Sequence, residues 1–237
     1  STGRVSSHMT ATAAKISAFV SVRDLILQSD SPSPPKVFDT SWHMDPARNG
    51  KREFEAQRIP GAYFFDINEV ADQASTLPHM FPNADVQHAA EQHFGLSRSQ
   101  PIVVYEAGAT FSAPRAWWTF KQMGFDAKIL SGGMQEWIAA GARVDHEPCE
   151  VPKLEVASGS APLVSKKPAG IVGFEAMQAT SKACHTARSE RQRGSPLQSD
   201  WILDARAAGR FNGSSPEPRQ GVQSGHMPGS HNVPFNL

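Results

Sequence analysis

Nucleophilic or metal-binding thiol chemistry in this chain would have to start from two cysteines, Cys149 and Cys184. A cysteine attacks or ligates as the thiolate, so a reactive one needs neighbours that lower its pKa. Cys149 stands in a proline-rich stretch beside Glu147 and Glu150, whose negative charge works in the opposite direction. Cys184 falls among small residues in a helix-like run from Gly173 to Ser189. Both read as incidental thiols, too few for a disulfide framework or a multi-thiolate metal site, and they suit a reducing compartment. Nine histidines raise the question of a metal, but His88 and His93, like His226 and His231, are five residues apart. That spacing points to different faces of a helix and matches no zinc pattern, so no metal is expected.

Twenty-three Lys and Arg balance twenty-three Asp and Glu. A broad electrostatic binder of nucleic acid or anionic lipid is therefore excluded. No run approaches the roughly 18 to 20 apolar residues of a membrane span, and the chain reads as soluble. Ser1 to His8 read as an expression scar ahead of Met9; Met9 to Ser21 lacks acidic residues but also Arg, a weak hint of a mitochondrial presequence. The expected location is cytoplasmic, with the mitochondrion as the alternative.

The elements that must position any site occur as one repeat and part of another. Val37-Phe38-Asp39-Thr40-Ser41 and Ile202-Leu203-Asp204-Ala205-Arg206 both read as a buried strand running into a loop. A Pro-Gly turn feeding a short strand follows each, at Pro60-Gly61 and Pro228-Gly229, 21 and 24 residues after the aspartate. A helix-like stretch precedes each, over 21–28 and 173–189. The first copy continues with a helix over 84–94, the strand Pro101 to Tyr105, the loop Glu106 to Phe111 and a helix with Ser112 as N-cap and Pro114 in its first turn. A strand at 127–130, Gly132-Gly133 and a helix over 134–140 complete it. Trp117 and Trp118 are expected in the core. Alternating strand and helix predicts an α/β fold, a mainly parallel sheet with helices on both faces. Residues 145–169, rich in Pro, Ser, Lys and Glu, read as a linker between domains at 9–144 and 170–237. The interval of about 43 residues from Pro60 to the Val103 strand, applied to Pro228, places the second copy's corresponding loop near 271 to 276, beyond Leu237.

Ser41-Trp42-His43-Met44, Arg58 to Ile67, Ala113-Pro114-Arg115-Ala116-Trp117-Trp118, Ser131-Gly132-Gly133-Met134, Asp204 to Phe211, Pro216-Glu217-Pro218-Arg219 and Gly225 to Ser230 together resemble the tandem-rhodanese sulfurtransferases. The resemblance covers nearly everything from Val20 to Leu237, and implies one complete rhodanese-like domain and the start of a second. Arg219 follows the second proline of Pro-Glu-Pro where thiosulfate-using members usually carry an acidic residue, which favours 3-mercaptopyruvate. The implied reaction passes sulfur from the donor to a cysteine, releases pyruvate, and hands the persulfide sulfur to a thiol or cyanide, with no cofactor. Thioredoxin is the kind of acceptor expected.

The resemblance places the nucleophile in the second domain's loop, so the catalytic cysteine is expected beyond Leu237 and the chain alone is expected to be inactive. Glu106 to Phe111, the first domain's counterpart, has no Cys and reads as the inactive half. Arg210 and Arg219 match the family's substrate-binding arginines; a guanidinium fork suits a planar 2-oxo acid carboxylate, where Lys offers a point charge. His79, with Asp66 as partner, is a candidate proton relay, weakened by Asn68 where members often have a second Asp. Arg206 reads as structural, paired with a neighbouring carboxylate, and Asp39 and Asp204 as residues that hold the loops after their strands. The alternatives are a thiosulfate sulfurtransferase and a non-catalytic rhodanese-like binding module. The 170–237 segment is expected to leave an open sheet edge and an uncovered apolar face, to be met by a cleaved carboxy-terminal fragment, the first domain or a neighbouring molecule.

Overall fold

The computed structural model describes residues 17–108, 111–156, 170–191, 201–218 and 221–235. The chain divides into two compact units, Ser1–Pro168 and Ala169–Leu237.

The first unit is built on a five-stranded sheet of β1 (Phe19–Val20), β2 (Lys36–Asp39), β3 (Tyr63–Phe64), β4 (Ile102–Tyr105) and β5 (Ala127–Leu130). The strand order is β1-β5-β4-β2-β3 and every pairing is parallel. Parallel neighbours need helical crossovers, which bury both faces, and β4 accordingly reads Ile-Val-Val-Tyr with every residue buried. Ile102 and Val104 join Phe38, Phe65 and Phe120 in one apolar cluster; Val103 and Tyr105 join Val37, Leu25 and Trp137 in the other. The first cluster is closed by α3 (Ala84–His93) and α4 (Ala113–Gln122), the second by α1 (Val22–Ser29) and α5 (Gly133–Ala139).

A further helix, α2 (Gly50–Ala56), stands on no apolar periodicity that the sequence displays and follows the loop after β2. Gly50 begins it because a Cβ there would lie 2.1 Å from the carbonyl oxygen of Ser41. Ser112 does occupy the N-cap position of α4, but its side chain makes no capping bond. Of the amides it would serve, Pro114 has none and that of Arg115 donates to the Ser112 carbonyl, while the Glu106 carboxylate accepts the N–H groups of Ser112 and Ala113. Trp117 and Trp118 are half-buried at the margin of the core. Trp117 keeps its indole N–H on the Ala127 carbonyl at 2.9 Å, and Trp118 packs edge-on to Phe81. An indole with a partner for its polar edge sits at such a boundary at no hydrogen-bond cost.

Residues 145–156, linker by composition, form a strap along the first unit. Arg58 and Asp145 exchange both backbone hydrogen bonds, and the Arg58 guanidinium reaches the Asp145 carboxylate at 2.7 Å and the Glu147 carbonyl at 2.8 Å. Leu154 is buried in the first apolar cluster, its N–H on Glu69.

The second unit contains α6 (Phe174–Arg191), β6 (Leu203–Asp204), α7 (Ala208–Phe211) and β7 (His231–Asn232), with β6 and β7 parallel. Gly229, at φ 81°, passes so close to α6 that a Cβ would lie 2.7 Å from the His185 nitrogen and 2.9 Å from the Cys184 Cβ. Cys184 is therefore buried beneath the Pro228-Gly229 turn, a packing position. Gly61 has the same left-handed backbone, φ 72°, in the first copy's turn. Among the described residues no helix is long and apolar enough to cross a membrane.

Candidate functional site

In both units the loop that leaves the first repeated strand is tied back by that strand's terminal aspartate. Asp39 accepts the Ser41 N–H at 2.8 Å, and Asp204 accepts the Arg206 N–H at 3.0 Å. The duplication fits the structural role read from the sequence. Their environments differ. Asp39 is buried beside the Tyr105 hydroxyl, and burial pushes its pKa up to about 6 despite the hydrogen bonds from Ser41 and Tyr105. Asp204 is held below the ordinary carboxylate range by its hydrogen bond from Arg206.

The Asp39 shift has a direct consequence for stability. Between pH 4 and 6, roughly, folded Asp39 keeps a proton that the unfolded chain has released, so its contribution is greatest at low pH and is withdrawn as pH rises through about 6. The urea midpoint of the native chain should therefore rise relative to that of Asp39→Asn on going from pH 7 to pH 5. Parallel pH profiles for the two proteins would refute this assignment.

At the carboxyl ends of β2, β3 and β4 in the first unit the loops converge. Ser41 Oγ accepts the Ala107 N–H at 2.8 Å, and the Trp42 N–H reaches Ser112 Oγ at 3.3 Å. The Trp42 ring stacks on Phe111 and meets His79 edge-on, with centroids 6.0 and 5.0 Å apart. His79 has a left-handed backbone, φ 58°, and its carbonyl accepts from Arg115. His79 Nε2 lies 3.0 Å from Asn68 Oδ1, and Asn68 Nδ2 donates to Asp66 Oδ1 at 2.8 Å. The relay pair read from the sequence is thus linked through an amide, which orients His79 and Asp66 without itself carrying a proton. A polar cleft of about 230 Å³ beside it is lined by Ser41, Trp42, His43, Arg48, Lys51, Asp66 and Asn68.

In the second unit Arg206 behaves as the paired residue the sequence suggests, with its Nε and Nη2 on Asp204 and Nη2 also on the Gly225 carbonyl. Arg210 does not stand alone. Its Nε and Nη2 donate to Glu217 Oε2 at 3.0 and 2.5 Å, while Arg206 Nη1 donates to Oε1 at 2.8 Å. The Glu217 side chain is 4% exposed and its pKa is lowered, first by the hydrogen bond from Arg210. Sequence reasoning passed over Glu217. The available signal was its place in Pro-Glu-Pro-Arg, which the chain cannot reveal as a partner for arginines seven and eleven residues earlier until the loop closes. Arg219 lies outside the described residues. Among the described residues no cluster of His, Cys, Asp or Glu could hold a metal. Cys149 lines a second cleft, of about 250 Å³, with Phe54, Tyr63 and His93.

A parallel sheet carrying loops of this kind defines a rhodanese-like protein, and residues 30–140 match the rhodanese-like domain family. The rat 3-mercaptopyruvate sulfurtransferase is 35% identical over 208 residues, 85% of this chain and 63% of the rat protein. A probable 3-mercaptopyruvate sulfurtransferase of Schizosaccharomyces pombe is 30% identical over 93% of this chain and 70% of its own length. The crystal structure of the Escherichia coli 3-mercaptopyruvate sulfurtransferase SseA superposes with a TM-score of 0.72 at 28% identity, covering 93% of this chain and 76% of SseA. The chain belongs to the 3-mercaptopyruvate sulfurtransferase family. It spans less than two thirds of the rat relative's length.

Proposed function

We propose that this chain is the amino-terminal part of a transferase that takes sulfur from 3-mercaptopyruvate, with Arg210 and Arg219 binding the donor and the nucleophilic cysteine lying beyond Leu237. The observation that carries the reading is the Arg206–Glu217–Arg210 cluster. Glu217 holds the Nε/Nη2 edge of Arg210, and Nη1, which makes no hydrogen bond among the described residues, is the end that would meet an incoming carboxylate. Two arginines and two acids, Asp204 and Glu217, make this cluster electrically balanced. Net attraction for a 2-oxo acid then comes from Arg219.

In the reaction the cysteine thiolate attacks the donor sulfur. The donor C–S bond breaks with its electron pair on carbon, giving the enolate of pyruvate, which the guanidinium groups stabilise until it takes a proton at carbon. An acceptor thiolate then attacks the outer sulfur of the persulfide and frees the cysteine. Thioredoxin supplies a thiol of the required kind. His79, joined to Asp66 through Asn68, is the candidate source of that proton.

The first domain is the inactive copy, and Glu106 stands where its counterpart carries the nucleophile. In the first unit β2 is paired on both sides, by β3 and β4. In the second, β6 pairs with β7 alone among the described residues, and Leu203 is 60% exposed. By the repeat, a strand equivalent to β4 and its cysteine loop belong on the other edge of β6, in the same polypeptide or in a cleaved fragment. The test is donor preference in the polypeptide extended past Leu237 through that cysteine. Pyruvate release from 3-mercaptopyruvate should exceed thiocyanate formation from thiosulfate and cyanide by about 10-fold or more in kcat/KM. Equal or reversed preference would overturn the donor assignment.

A further inference from the structure

Among the described residues of the first unit, Glu106 is a charged group whose carboxylate accepts hydrogen bonds from four separate donors. It follows β4 directly and is 5% exposed. Its Oε1 accepts the N–H of Phe111 at 2.7 Å and of Ala113 at 3.3 Å, and its Oε2 accepts the N–H and Oγ–H of Ser112, both at 2.8 Å. The backbone of Glu106 is pinned as well. Its carbonyl accepts the Met134 N–H at 3.0 Å, under Gly133, where a Cβ would come within 2.5 Å of that oxygen. Ala113 opens α4 and Phe111 and Ser112 lead into it, so these amides lie at the end of the helix where the dipole favours negative charge. A helix start alone would show no more than a capacity for anions. Here a buried carboxylate from another element occupies it with both oxygens, and Ser112, the ordinary capping residue, turns its hydroxyl toward that carboxylate.

We propose that the first domain retains a complete cradle for a small oxyanion and that Glu106 is its tethered occupant. The carboxylate fills the site that three amides and one hydroxyl define, so an external anion has no room in the native protein. Removing the side chain beyond Cβ vacates a site of the size of formate, with four donors left facing it. This assignment does not depend on the sulfur chemistry proposed above and stands or falls separately from it.

Formate rescue of Glu106→Ala in the 237-residue chain tests the assignment. Four donors, three of them buried, lose their acceptor, so the thermal midpoint in chloride should fall by about 5 to 10 °C. Replacing chloride by formate at equal ionic strength should restore about half of that loss or more, with saturation. The native chain should not respond. In Glu106→Gln the side chain still fills the cradle but turns an N–H toward donors, so this variant should be destabilised and insensitive to formate. Equal responses of Glu106→Ala and the native chain to formate would overturn the proposal, as would a Glu106→Gln variant as stable as the native chain. Where Glu106→Ala does not fold, the amide proton resonances of Phe111, Ser112 and Ala113 carry the test. They should move upfield in Glu106→Gln, and unchanged positions would refute a charge-assisted cradle.

Discussion

Arg210→Lys in the extended polypeptide should lower kcat/KM for 3-mercaptopyruvate by about 100-fold or more, because three contacts change together. The native guanidinium holds Glu217 through its Nε and Nη2, and Nη1 is the proposed contact to the donor carboxylate. An ammonium has one donor centre, so holding Glu217 and the donor carboxylate at the same time requires a geometry it does not have. Glu217 would remain attached to Arg206 and draw the lysine toward itself. Steady-state pyruvate release measures the loss, and an unchanged far-UV circular dichroism spectrum separates it from unfolding. A loss below about 5-fold would mean that Arg210 is a structural partner of Glu217 and does not bind the donor.

The largest expected effect on stability is at Phe38. Its side chain is fully buried, and its ring lies 5.1 Å from that of Phe94 and 5.0 Å from that of Phe120. Phe38→Ala removes a ring from the centre of the aromatic cluster and leaves a cavity that β2, paired on both edges, cannot collapse to fill. The expected cost is about 3 to 5 kcal/mol. That is a large part of the roughly 5 to 15 kcal/mol that holds a domain folded. Because Asp39 and the site loop follow immediately, the loss should also loosen the Ser41–Ala107 contact. Urea denaturation of the two proteins measures the difference, and a change under about 1 kcal/mol would contradict the packing described.

The features legible in the sequence are those whose signal is local. β4 is a continuous apolar run, and Val37-Phe38 a short one at the centre of β2, because both faces of a parallel sheet are covered. The two Pro-Gly turns announce left-handed glycines, and the matching Asp39 and Asp204 announce loops tied to their strands. What escaped was set by partners distant in the chain. The two-residue strand β1 exists because β5 offers it an edge. The strap at 145–156 looks like linker in composition, since its attachment is backbone pairing with Arg58, more than eighty residues earlier. Ser112 has the right type and position for a cap, yet Glu106 performs that task from across the loop. Arg210 was a candidate through the family motif, whereas Glu217, which its guanidinium grips, was visible only once the loop had closed.

Under the proposed function, these 237 residues bind and orient the donor while the sulfur-accepting cysteine belongs to a segment beyond them. Intact-protein mass spectrometry after incubation with 3-mercaptopyruvate, read together with pyruvate release, tests it most directly. The expected result is no added sulfur on Cys149 or Cys184 and no pyruvate from the chain alone, and one added sulfur on the downstream cysteine, with pyruvate, in the extended polypeptide. A stoichiometric persulfide on Cys149 or Cys184, formed with pyruvate at an enzymatic rate by the 237-residue chain, would contradict it.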